Sequence, residues 1–138
     1  VDISNDEILW PTNERNAIQL YLSFLLKIVE GSRVKYLNEK NDPIGISKRY
    51  LNGDDVEFER ELAVQNWWNF IDSNGLIRDF HTPEAVLARL ALCFLAPSEG
   101  DIGDLSENIS FSFGLLASLG ADMEKLKIIR NEYFKNCI

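Results

Sequence analysis

Few residues of this chain could do chemistry. His81 is the sole histidine, and Cys93 and Cys137 are the two cysteines. One imidazole excludes a His-rich zinc site, and a Cys–His nucleophilic pair would need one of those thiols beside it. Cys93 lies in "LARLALCFLAP", an apolar helical run that hides a thiol and raises its pKa. It reads as core filling, and Cys137 as part of a frayed tail. A di-iron bundle needs Glu-x-x-His pairs, whereas "RDFH" sets Asp79 two residues before His81. "DSNGLIRDFHTPE" opens like a calcium loop, but Asp72 and Asn74 are followed at once by Gly75. An EF-hand would need D-x-[DN]-x-[DN]-G. Neither a glycine-rich phosphate loop nor G-x-S-x-G is present. Paired carboxylates do occur: Glu57 and Glu61 are spaced i, i+4, and Asp101, Asp104 and Glu107 fall close together. Glycosidase-like acid–base work needs carboxylates facing across a cleft, one of them in an apolar pocket. Carboxylates on one solvated face make a charged surface instead. The chain therefore reads as a non-enzyme with no cofactor and no metal.

Charge narrows the partners. Fourteen basic and 22 acidic residues give a net charge of −8. Nucleic-acid binding needs clustered Lys and Arg to displace counterions, so no nucleic-acid partner is expected, nor an anionic membrane surface. An acidic field keeps a protein soluble, and it also draws in a basic partner. The start, "VDISNDEILWP", has neither the basic nor the apolar region of a secretory signal, although it begins at Val1 rather than Met. "AIQLYLSFLLKIV" is interrupted by Gln19 and Lys27 and is too short to span a bilayer. Two cysteines without a disulfide framework suit a reducing compartment. The expected location is the cytoplasm.

The elements that must position these residues are helical. With 138 residues, 46% hydrophobic, one domain over 1–138 is the natural reading. Thr12 or Asn13 caps a first long helix whose apolar residues, Ala17, Leu20, Tyr21, Phe24, Leu25, Ile28 and Val29, recur at helical spacing. Leu22, Leu26 and Ile18 widen the stripe, so this helix should pack on two sides. "NEKNDPIGI" reads as a loop because Pro43 and Gly45 break the period, and "SKRYLNG" as a short helical turn stopped by Gly53. Asp54 or Asp55 caps the next helix, and Asn74-Gly75 closes it. In "HTPEAVLARLALCFLAP" Thr82 caps, Pro83 takes the first position, Glu84 suits the positive helix end and Pro97 terminates. Asp104 or Ser106 caps a helix ended by Gly120, and a last one starts near Asp122. The fold class predicted is all-α, an irregular bundle of about five helices near 13–30, 55–73, 83–95, 105–119 and 122–135. Trp67, Leu90, Phe94 and Leu116 should be core.

"ELAVQNWWNFIDSNG" holds Trp67 and Trp68 side by side, and neighbours on a helix point about 100° apart. Val56, Ala63, Val64, Trp67, Phe70 and Ile71 share one broad arc with Trp67 near its middle. Trp68 lies at the edge of that arc, next to Glu57, Glu61, Gln65 and Asp72. There it either seals the core margin or anchors a binding surface, since Trp is enriched at interface hot spots. Phe58 and Leu62 fall on the far side, and a covering helix is expected over them.

A small acidic helical chain carrying "ELAVQNWWNFID" and then "PEAVLARLALCFLAP" resembles the helical immunity proteins of bacterial contact-dependent inhibition and related polymorphic toxin systems. The likeness is one of style over most of the chain, without a diagnostic motif. It implies a non-enzymatic inhibitor that binds the toxin domain of its own system, often a nuclease, by plugging a basic cleft. The candidate partner-binding residues are Glu57, Glu61, Trp68, Asp72, Asp101 and Asp104. A helical adaptor or subunit of a larger assembly is the first alternative, and a small enzyme with a site built from scattered residues the second.

Overall fold

The computed structural model describes residues 2–37 and 41–138. Among them are six α-helices and a 3₁₀ turn at Asn5–Glu7: α1 (Glu14–Val29), α2 (Pro43–Leu51), α3 (Glu57–Ser73), α4 (Pro83–Leu95), α5 (Leu105–Ser118) and α6 (Met123–Tyr133). The described residues hold no strand. Ser98 and Asp101 merely exchange backbone hydrogen bonds across a tight turn. The all-α class and the five expected helices are observed, and α2 is the addition.

Helix α2 corrects the loop reading of "NEKNDPIGI", of which Asn38, Glu39 and Lys40 lie outside the described residues. Pro43 starts a helix here, because the first helical position needs no N–H, and Asp42 caps it by accepting from the Ile44 N–H at 3.0 Å. Gly45 leaves room for that cap: a Cβ there would stand 3.2 Å from Asp42 Oδ2. The other caps follow the sequence closely. Asn13, Asp104 and Asp122 each accept a first-turn N–H of α1, α5 and α6. Asp55 accepts from the Glu57 N–H. Thr82 holds the cap position of α4, but its hydroxyl donates to Asp79 Oδ2.

Burial ranks the helices. Nine residues of α4 are buried, on every side, as expected of a helix apolar all round; α2, α3 and α5 pack against it. Helix α1 packs on α2 and α6 and sends the Tyr21 hydroxyl to the Cys93 carbonyl of α4 at 2.7 Å. An aromatic cluster of Trp10, Tyr21, Phe24, Phe113, Tyr133 and Phe134 fills the space between α1, α5 and α6, with ring centroids 4.9–6.3 Å apart. Leu90, Phe94 and Leu116 are core as expected.

Helix α3 is an outer helix. Only Ala63 and Ile71 of it are buried, and this overturns two expectations. Trp67 is half-buried rather than core. Phe58 and Leu62 have no covering helix and stand 82% and 46% exposed. The wheel gives the direction of these residues around the axis, but α3 lies at the margin of the bundle: of its inner arc Ala63 and Ile71 are buried, Val64 and Trp67 are partly covered against α4, and Phe70 is 37% exposed.

Candidate functional site

The six expected residues occupy two regions. Glu57 begins α3 and grips Arg60 through two contacts, Oε2 to Nε at 3.1 Å and Oε1 to Nη2 at 2.6 Å. Glu61 is 4.0 Å from the same guanidinium. Arg60 is otherwise largely buried and donates to the Leu95 carbonyl. The hydrogen bond from Arg60 holds the Glu57 carboxyl below its ordinary range, against a smaller opposing effect of burial. Glu57 also borders a small cleft shared with Tyr50, Ser98 and Glu99, so the acidic loop meets this end of α3. Within that loop Asp101 is exposed, and Asp104 is exposed but committed to capping α5. Glu99 ties the loop to Arg15 and Tyr50, and Glu14 accepts from the Gly100 N–H.

Trp68 and Asp72 belong elsewhere. Eleven residues separate Trp68 from Glu57, about 16 Å along the axis at 1.5 Å per residue. Trp68 is 42% exposed, and its near neighbour is a cation rather than an acid. The Arg89 guanidinium lies 5.4 Å from the Trp68 ring and 4.5 Å from Phe80. Phe80 meets Phe111 edge-on at 6.3 Å, and Arg89 Nη2 donates to the Ile77 carbonyl at 2.7 Å. An arginine packed between two aromatic faces is held by cation–π attraction. Trp68 therefore opens an exposed patch with Ile77, Phe80 and Phe111. Sequence reasoning missed this patch, because its members come from α3, the α3–α4 loop, α4 and α5.

The loop before α4 is organised by Asp79. Its carboxylate accepts from the backbone N–H groups of Thr82 and His81 and from the Thr82 hydroxyl, and these bonds, Thr82 first, lower its pKa. His81 is an exposed residue of this turn. The Asp2 carboxyl is also lowered, chiefly by its hydrogen bond from Asn131. A carboxylate with a depressed folded-state pKa contributes stability that is complete above the unfolded pKa and lost as pH falls through the folded value. Melting temperature is therefore expected to hold between pH 7 and 5 and to fall below pH ~4. Asp79→Asn should flatten part of that fall. An equally steep fall in the variant would show that Asp79 contributes nothing to it.

Trp67 opens the other way. Its indole N–H donates to the Asn41 carbonyl at 2.9 Å. Its ring meets Tyr36 at 5.6 Å and Phe70 at 5.8 Å, with interplanar angles of 80° and 75°. These rings line a slot of about 410 Å³ with Leu87, Glu84 and Lys35. The adjacent tryptophans thus serve different surfaces.

No group of three or more metal-ligating side chains is brought together among the described residues. Burial raises the Cys93 thiol to about 11, and both cysteines are free. No helix of the described residues is long and apolar enough to cross a membrane. Comparison with protein-family models, with curated proteins and with solved structures finds no match.

Proposed function

We propose that this chain is a non-enzymatic binding protein whose partner is a basic protein, and that the partner is the toxin domain of a cognate bacterial system. The single observation that carries the reading is the outer face of α3. Phe58 and Leu62 stand exposed there near the exposed Glu57 and Glu61 at the start of the helix, and Trp68 stands exposed farther along it beside Arg89. Exposed apolar area with carboxylates at one end suits a basic partner: rim charges speed encounter, and aromatic anchors slow escape. The net charge of −8 and the resemblance in sequence supply the sign and the kind of partner. Within this reading Glu57 and Glu61 steer, Asp101 and Asp104 extend the acidic rim from the loop, and Trp68 with Phe58 supplies desolvated area. An adaptor role in a larger assembly is the second reading, favoured by exposed Leu9 and Ile128 outside this face.

Capture from the native host, with the neighbouring open reading frames read alongside, should recover one tightly held basic protein. Recovery of a stable multi-subunit complex would move the reading to the adaptor. With the partner in hand, reversing Glu57 and Glu61 to Lys should lower the association rate about tenfold and flatten its dependence on salt. Trp68→Ala should chiefly raise the dissociation rate. Circular dichroism and melting must first show both variants folded. Unchanged rates in both would remove this face from the interface.

A further inference from the structure

The slot beside Trp67 has a chemistry of its own. Tyr36, Trp67 and Phe70 meet as two near-perpendicular pairs, which makes an aromatic corner rather than a flat stack. The polar edges of the two larger rings are already committed within the chain. The Tyr36 hydroxyl donates to the Leu87 carbonyl at 2.7 Å, and the Trp67 N–H to the Asn41 carbonyl. Asn66 is likewise turned to Asn41, its Nδ2 3.0 Å from Asn41 Oδ1. Among the described residues the slot is thus lined mainly by aromatic rings and by the apolar bodies of Leu37 and Leu87. Two charged groups line it among the described residues, Glu84 from the first turn of α4 and the exposed Lys35.

We propose that this slot binds an alkylated ammonium cation, either a free quaternary ammonium or the methylated end of a lysine side chain. Ring faces carry the negative end of the aromatic quadrupole, and walls of this kind are the recurring receptor for quaternary ammonium groups. The Glu84 carboxylate adds a full opposite charge, and the acidic chain adds a favourable background field. A primary ammonium fits less well. It would surrender strong hydration, and among the described lining groups chiefly the Glu84 carboxylate could return a hydrogen bond. An alkylated ammonium has little such hydration to lose. A volume of about 410 Å³ falls in the range of small-molecule sites. The wall is built from three separate pieces of chain: the segment after α1, the inner edge of α3 and the first turns of α4. Trp68 faces a different side of α3, so this slot and the proposed partner surface can be occupied independently.

Lys35 makes the proposal sharply testable, because it and Glu84 must act with opposite signs. The test is calorimetric titration of the full chain with choline and with its neutral carbon isostere, 3,3-dimethylbutan-1-ol. A short peptide bearing trimethyllysine, and the same peptide unmodified, form the second arm. Choline or the trimethyllysine peptide should bind at least roughly tenfold tighter than its neutral or unmodified counterpart, the size expected of cation–π recognition. Choline alone would mark a free small molecule as the ligand, and the peptide alone a protein side chain. Glu84→Gln should weaken that binding severalfold, Lys35→Gln should tighten it, and Phe70→Ala should reduce it about tenfold while the fold survives, since Phe70 is 37% exposed. Equal binding of choline and its isostere would overturn the proposal, as would the absence of binding by either cation at millimolar concentration. Tightening by Glu84→Gln would overturn it too, by showing that the slot prefers an anion.

Discussion

Replacing Phe24 by alanine is expected to cost about 3–5 kcal/mol, among the largest losses available to a single substitution in this chain. Phe24 is fully buried, and its ring meets Phe134 at 4.9 Å, Tyr133 at 5.2 Å and Phe113 at 6.2 Å. Those partners come from α5, from α6 and from the residue that ends α6, so one truncation opens a cavity where three elements converge. Tilted aromatic pairs of this kind add to the area term. Domains of this size have a net stability of roughly 5–15 kcal/mol, so the loss should be a large fraction of the total. Urea titration followed by circular dichroism measures the loss. Trp67→Ala supplies the internal comparison. Its ring is larger but half-buried at the edge of the slot, and its loss should be nearer ~2 kcal/mol. If Trp67→Ala costs more than Phe24→Ala, the convergence at Phe24 is not the centre of the core.

The same comparison marks where sequence reading succeeds and where it stops. Helix α4 was plain because its signals are local: Thr82, Pro83 and Glu84 at one end, Pro97 at the other, and an unbroken apolar run between. Helix α2 was missed although Asp42-Pro43 opens it in much the same way as Thr82-Pro83 opens α4. The Gly45 that followed read as a second breaker, whereas it is the small residue that lets the Asp42 carboxylate fold back over the first turn. The helical wheel fixed the direction of Trp67 but carried no information on depth. Depth depends on where α3 sits in the bundle, and α3 sits outside. For the same reason the wheel could not tell that Phe58 and Leu62 lack a cover.

Of the candidate site, the acidic half was visible because Glu57 and Glu61 are one turn apart. Their shared arginine is only three residues from Glu57, yet its burial against the Leu95 carbonyl needs α4 in place. The helical wheel sets Trp68 beside Glu57, Glu61 and Asp72. Its actual neighbour, Arg89, is 21 residues away in sequence. Tyr36 and Trp67, 31 residues apart, carry no mutual signature at all. Contacts of this kind follow from the packing of α3 on α4, and periodicity within either helix cannot supply them.

Arg130 carries the second large expectation. It is 5% exposed, an unusual depth for a guanidinium. Nη2 donates to Asp2 Oδ1 at 2.7 Å and Nη1 to Asn5 Oδ1 at 3.2 Å, and Asn131 Oδ1 accepts from both Nε and Nη2. The guanidinium also lies 5.8 Å from the Phe113 ring. The segment before α1 is held at other points too: the Ile3 N–H donates to Asn131 Oδ1, the Leu9 N–H to the Cys137 carbonyl and Asn5 Nδ2 to Ser110 Oγ, and Trp10 packs on Phe134. Arg130→Ala removes the buried stem and leaves the Asn5 and Asn131 oxygens short of donors, at an expected cost of about 3 kcal/mol. Arg130→Met keeps most of the stem volume and should recover part of that loss. Asp2→Asn should cost least, because Asp2 is exposed and water replaces its partner. Amide hydrogen exchange gives a readout separate from global stability: in Arg130→Ala the Ile3 N–H should exchange much faster, while amides in the middle of α4 should speed up only in proportion to the loss of global stability. If Asp2→Asn matched Arg130→Ala in both measurements, the single ion pair would be holding this corner. The expected order, Ala above Met above Asn, would instead assign the hold to the buried fork and its two asparagines.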